Sequence, residues 1–216
     1  MFAGHIGAPL TLSKVKQRLN PGVLVFATLL VVAMGPGCAS KKGSAGAVPW
    51  RFPALRQELL AMEAEDQRVR EGFGPNMGAA KAEEMLAVDT RHTVRMRAIV
   101  AAYGWPGRSL VGMDGAAAAW LLVQHAELEF MAECLPLLQR AASSGEALPR
   151  HYAYLLDRVR VRQGKPQVYG TQFSFKADGK LVADPIEDAQ HVDERRHAVG
   201  LPPMAEYERE LRKTFR

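Results

Sequence analysis

The 216-residue chain is poor in the residues and spacings that announce chemistry. It has two cysteines, Cys38 and Cys134. Cys38 belongs to the N-terminal leader described below, which leaves one cysteine in the body of the chain and so no internal disulfide to stabilise it. Five histidines follow Cys38, with no His-x3-His and no Cys-x2-Cys spacing. His191 and His197 lie six apart, on different faces of any helix. No metal and no cofactor is therefore expected. There is no G-x-S-x-G turn and no phosphate-binding glycine loop. The longest uncharged apolar run, Val23–Met34, has 12 residues, where a membrane-spanning helix needs about 20. Basic residues form no single face. Lys14, Lys16 and Arg18 carry three of the five net positive charges, which leaves +2 for residues 38–216. Arginine and glutamate are interspersed there, so nucleic acid is not an expected partner.

The N-terminus is more informative. A basic stretch with no acidic residue leads into Val23–Met34, then into Gly35, Pro36, Gly37 and Cys38. Basic region, short apolar core and small residues in that order form an export signal. A cysteine at the end of it resembles a lipobox, with Gly35 standing where an aliphatic residue is usual. Residues 1–37 are thus expected to be a lipoprotein signal peptide, and Cys38 the lipidated residue that anchors the chain to a membrane. Ala39 and Ser40 follow, with no aspartate beside the cysteine, which points to the outer membrane, facing the periplasm. Residues 38–49 are small and polar and read as a flexible tether.

Residues 50–216 are expected to form one mainly helical domain with a small β-hairpin in its C-terminal third. Leu55, Leu59, Met62 and Val69 recur at helical spacing in a segment from Phe52 to Glu71. A second helix is predicted from Ala79 to Tyr103, stopped by Gly104 and Pro106, and a third with Asp114 as its N-cap. Leu128–Ala142 contains Pro136 and is expected to be kinked or divided there. Pro149 suits the first turn of a helix ending near Gly164. Across Val168–Val182 the aromatic and β-branched residues Tyr169, Thr171, Phe173 and Phe175 alternate with small or polar ones. Asp178-Gly179 then marks a hairpin turn. Two more helices are predicted near Asp188–Val199 and Pro203–Lys213. Cys134 and Trp120, inside apolar helical stretches, are expected in the core.

Polar residues fall where the apolar stripes call for hydrophobic ones. Asp66 lies on the stripe of the first helix, with Arg70 four residues on and able to pair with it. Asp89 and His92 share a face with Met85, Met96, Ile99 and Tyr103. His125 lies beside Leu121, Leu122 and Leu128, and Arg196 lies on the stripe of Ala189, Val192 and Val199. Buried charges are costly unless paired, so these residues suggest one shared polar network, either structural or the wall of a polar pocket.

Several segments read together resemble a bacterial family. They are EDQRVR (65–70), GWPGRSLVG (104–112), AWLLVQHAELEF (119–130), YAYLLDRVRVRQGKPQVYGTQF (152–173) and DERRHAVGLPP (193–203). Over about residues 55–210 the chain resembles the Domain of Unknown Function 6624 family. The resemblance implies no activity, substrate or cofactor. Its elements include Asp66, Gln67, Arg70, Gln124, His125, Asp157, Arg158, Gln167, Tyr169, Thr171, Gln172, Arg195 and Arg196, of which Asp66, His125 and Arg196 stand out by periodicity alone.

Three functions remain open at this point. The first is a binding module whose pocket draws on Asp66, Arg70, Gln124, His125, Arg158, Gln167, Tyr169, Thr171, Gln172 and Arg196. Their amide and guanidinium donors would orient a small polar or peptide-like ligand. The second is a hydrolase or transferase with His125 as general base, Asp157 or Asp66 as its orienting acid, and Arg158 or Arg196 stabilising an anion. The third is a structural lipoprotein that binds another envelope protein, with Trp50 and Trp105 as contacts.

Overall fold

A computed structural model describes residues 50–74, 77–176 and 178–214. The expected signal peptide, Cys38 and the tether lie outside the described residues. The first helix, α1, spans Pro53–Val69, with proline in its first turn, where a missing N–H costs nothing. Helix α2 spans Ala79–Tyr103 and ends on Gly104, whose φ of 70° is one that side chains disfavour. Helix α3 spans Arg108–Gln124. Hydrogen bonding thus begins six residues before Asp114, the predicted start. The chain breaks helical geometry at Gly112 (φ 77°, ψ 170°) and resumes at once, so Asp114 sits just inside the resumed helix and accepts the N–H of Gly115 at 2.8 Å.

Helix α4 spans Leu128–Ser143 and runs unbroken through Pro136. Of the kink or division expected there, division does not occur. Proline removes one hydrogen bond, and the buried stripe of Phe130, Met131, Cys134 and Leu138 holds both halves against the core. Helix α5 spans Pro149–Arg162. A short hairpin follows, β1 at Phe173–Phe175 and β2 at Leu181–Ala183, antiparallel, with Phe173 opposite Ala183 and Phe175 opposite Leu181. A 3-10 turn at Ala189–His191 leads into α6, Val192–Ala198, and α7, Met204–Thr214, closes the described chain. None of the described helices is long and apolar enough to cross a membrane.

Helix α3 is the axis of the domain. From Gly115 to Gln124 all but Ala117 are buried, and α1, α2, α4 and α5 all pack on it. A helix buried on every side must be apolar on every side, and the AAAAWLLV run meets that demand. Trp120 is 1% exposed. Its indole N–H donates to the His151 carbonyl at 2.9 Å, and its ring stacks on the His151 imidazole at 4.0 Å. Cys134 is sealed in the same core, and burial pushes its thiol up to about 12, so it is an inert hydrophobe. A second, smaller core joins the C-terminal third through Phe173, Tyr207 and Leu211, with Tyr154 of α5 against it.

Candidate functional site

The buried polar residues sort into two networks. The first lies where α1, α2 and the end of α3 meet. Asp66 and Arg70 are one helical turn apart on α1, and Arg70 donates to Asp66 Oδ1 at 2.7 Å. The other arm of the guanidinium reaches across to α2 and donates to Asp89 Oδ1 at 2.6 Å. His125, the residue that ends α3, brings its Nδ1 to 2.8 Å from the same Asp66 oxygen. Gln67 donates its amide N–H to Asp66 Oδ2 at 2.9 Å. One carboxylate thus receives three side-chain partners from two helices. The Asp66 side chain is 1% exposed and that of His125 7%, whereas those of Arg70 and Asp89 are 14% and 20% exposed. The network is therefore sealed at the Asp66 end and reaches solvent at the Asp89 end.

Burial and charge act against each other here. Burial alone would raise the Asp66 carboxyl, but the hydrogen bond from His125 and the charges around it win, and it ends below its ordinary value. For His125 burial wins over Asp66, and the imidazole is held below its ordinary value. Asp89 is pushed up by burial despite Arg70. The pair at neutral pH is then an anionic Asp66 and a neutral His125. A carboxylate only accepts, so Nδ1 carries the proton and Nε2 keeps its lone pair. His125 makes no other side-chain hydrogen bond among the described residues. Arg158 of α5 is buried, and desolvation first, then the charges of Arg162 and Arg70, lower it to about 9. It remains a cation at neutral pH, and Asp89 is among the charges that oppose its shift.

The second network holds the segment between α5 and β1. Asp157 of α5 is fully buried and accepts the backbone N–H groups of Val168 (2.7 Å), Tyr169 (3.0 Å) and Thr171 (3.0 Å), together with the Thr171 hydroxyl (3.0 Å). Gln167 bonds the backbone of Gln172 twice and the carbonyl of Asp184 once. Arg196 of α6 donates to the carbonyls of Tyr169, Gly170 and Pro202, and Arg195 to those of Val168, Glu187 and Asp188. This explains why only three residues per strand pair where alternation predicted a longer hairpin. Residues 168–171 spend most of their backbone groups on side chains of α5, α6 and α7, Gln167 and Gln172 bond each other and the backbone of residues 184–187, and Gly170, at φ 67°, turns the chain out of strand geometry.

Residues 53–216 match the family of unknown function DUF6624. The chain belongs to that family. No curated protein and no solved structure matches it. The DUF6624 domain therefore stands on its own geometry, and that geometry divides the residues singled out by sequence. Asp66, Arg70 and His125 come together, and Asp66 rather than Asp157 meets His125. Gln167, Thr171, Gln172 and Arg196 are buried and bonded to the chain itself, while Tyr169 is half-buried and contributes its backbone to the same segment. Gln124, next to His125, is 1% exposed, and neither atom of its amide has a partner among the described residues. Asp89 completes the first network. Its place on the inward face of its helix was the signal for it.

Asp66, Asp89 and His125 each offer a ligand atom, and these atoms lie within 4.8 Å of one another. Such a trio suits a cation in its residue types. Arg70, however, already donates to both carboxylates and supplies the positive charge between them, so a metal would have to displace it. Two cavities, of about 610 and 40 Å³, lie around the N-terminal half of α3 and include no residue of this network. Beyond the break at Gly112 the helix from Met113 to Gln124 rises about 17 Å at 1.5 Å per residue, which separates the cavities from His125.

The Asp157 network yields a structural prediction. In Asp157→Asn an amide N–H₂ faces backbone donors that need an acceptor, and a charged acceptor is lost. We expect about 3 kcal/mol of stability to be lost in urea unfolding, with faster amide exchange at Val168, Tyr169 and Thr171. A loss under about 0.5 kcal/mol would show that the segment is held by other contacts.

Proposed function

We propose that this DUF6624 protein is an exported envelope lipoprotein whose helical domain binds a small polar or peptide-like ligand at the Asp66–Arg70–Asp89–His125 network. One observation carries this reading. Four ionisable side chains share a site that is dry at one end and open at the other, with one imidazole nitrogen uncommitted. A buried ion cluster seldom adds stability over an apolar packing of the same volume, and perturbed ionisable groups concentrate at functional sites. Donors and acceptors on rigid helices, opening at Asp89, suit recognition of a polar ligand.

A second reading is favoured by the 2.8 Å contact between Asp66 and His125. An acid that fixes the tautomer and orientation of a neutral histidine is the arrangement of a general base. In a hydrolase or transferase His125 Nε2 would take a proton from water or a substrate hydroxyl, and Arg70 and Arg158 would stabilise the developing anion.

Soluble peptidoglycan fragments are the panel of choice for a protein facing the periplasm. At a hundredfold excess over Kd, binding adds about 2.7 kcal/mol, or about 5–10 °C in Tm for a domain of this size. We expect such a rise in the wild type and its loss in Asp89→Asn and His125→Asn. A panel that leaves Tm unchanged contradicts the binding reading. Mass spectrometry of the recovered fragments separates the two readings, since conversion that His125→Asn abolishes supports catalysis and unaltered fragments support binding alone.

The anchor has its own support in the ordered sequence of basic region, apolar run, small residues and Cys38. Cells given labelled palmitate should incorporate it into the wild type and not into Cys38→Ala. Label that persists in the variant would remove the lipoprotein assignment.

A further inference from the structure

The cavity of about 610 Å³ at the start of α3 falls in the range of small-molecule sites, and the recess of about 40 Å³ shares Arg108, Met113 and Glu146 with it. Its walls are held in place by specific contacts. Arg56 of α1 forms a two-pronged ion pair with Asp114 of α3, with Nε at 2.9 Å from Oδ1. The same guanidinium lies over the Trp50 indole, 4.6 Å from the ring centroid, and fixes that ring as one wall. The floor is open because Gly112 has no side chain. A Cβ there would stand 3.0 Å from Asp114 Oδ1 and 3.3 Å from Trp50 Cε3. Glu146 reaches the first turn of α3 over the bare α-carbon of Gly107, and its Oε2 accepts the N–H of Ser109 at 2.7 Å.

Charge decides what such a groove would take. Arg56 and Asp114 neutralise one another. Arg108 is exposed and its guanidinium has no ion pair or hydrogen bond among the described residues. Glu146 uses one oxygen for Ser109, and its Oε1 bonds nothing among the described residues. The two cavities are thus lined by one uncommitted cation and one half-committed anion that do not pair with each other. The recess ends on His151, which is 6% exposed and whose Nδ1 has no hydrogen-bond partner among the described residues. Burial pushes that imidazole down to about 3, so it is neutral and offers a polar edge without a charge. Trp50 and Met113, both exposed, form the apolar part of the lining.

We propose that this groove is a second binding site, for a small zwitterion. Its primary ammonium pairs with Glu146, its carboxylate or phosphate with Arg108, and its apolar part lies against Trp50. Dipeptides and phosphoethanolamine headgroups share this chemistry. The proposal does not rest on the Asp66 network, which lies at the other end of α3.

Trp50 is a built-in reporter, since Trp105 and Trp120 are buried. The full-length protein is titrated with alanyl-leucine, its N-acetyl form, its C-terminal amide and glycerophosphoethanolamine, following tryptophan fluorescence. We expect at least one zwitterion to give a saturable change that Trp50→Phe removes, with both blocked dipeptides and the Arg108→Ala variant binding at least about tenfold more weakly. Arg108→Ala removes an exposed side chain with no side-chain partner among the described residues, so its circular dichroism and Tm should match the wild type. A response to the dipeptide alone assigns a peptide source, and a response to the headgroup alone assigns a lipid source. Equal binding of either blocked form, unchanged binding in Arg108→Ala, or no saturable response to either zwitterion overturns the proposal. The readout is local to Trp50, so its failure and a failure at the Asp66 network are distinguishable.

Discussion

The carboxylate of Asp66 is the contact through which three helices agree on their positions. It is buried and anionic, so it must be neutralised and hydrogen-bonded where it stands. Arg70 meets it from its own helix, His125 from the end of α3, and Arg70 in turn holds Asp89 of α2. Without Arg70 the Asp66 charge would be stranded in a dry place, and without His125 it would lose a hydrogen bond, so both contacts favour one register of α1 against the end of α3. The apolar side of the same junction is supplied by Leu59, Val69, Met96 and Ile99, all fully buried. Burial of apolar surface is the main source of stability in such a core.

The C-terminal third obeys a similar rule by other means. Asp157 gathers three backbone N–H groups, and Arg195 and Arg196 gather six carbonyls. A segment with almost no regular structure is thus as well satisfied as a strand would be. Arg196 is also packed over the Tyr207 ring at 4.8 Å, which ties the segment to α7. The consequence for function is direct. Side chains spent on the backbone are not available to a ligand, which moves attention from Gln167, Thr171, Gln172 and Arg196 to Asp66, Asp89 and His125.

Helical periodicity made much of this legible. The bounds of α2, its stop at Gly104 and the helix start at Pro149 follow from periodicity and its glycine and proline punctuation, and the inward placement of Asp66 and Asp89 follows from spacing. Two things did not. Residues 167–172 alternate as a strand does, but alternation does not reveal that Asp157, 11 to 14 residues earlier, takes the amide hydrogens of Val168, Tyr169 and Thr171. An amide or guanidinium also looks alike in sequence whether it bonds a ligand or the chain. The groove residues Trp50, Arg56, Arg108, Asp114 and Glu146 come from separate segments with no shared spacing, and the packing of α1 on α3 together with the hydrogen bonds of Glu146 to Arg108 and Ser109 brings them to one place. Pro136 shows the reverse case: of the kink or division expected there, division gives way to the burial of the helix around it.

The protonation state of His125 reports directly on the Asp66 network. Nitrogen–proton correlation spectra of the histidine side chains report both tautomer and charge. We expect a neutral His125 at pH 7 protonated on Nδ1. Its folded value is depressed, so the ring should take up its second proton only below the ordinary 6.5, and stability should fall as pH drops through that range. An Nε2–H tautomer, or a titration midpoint at or above 6.5, would contradict it.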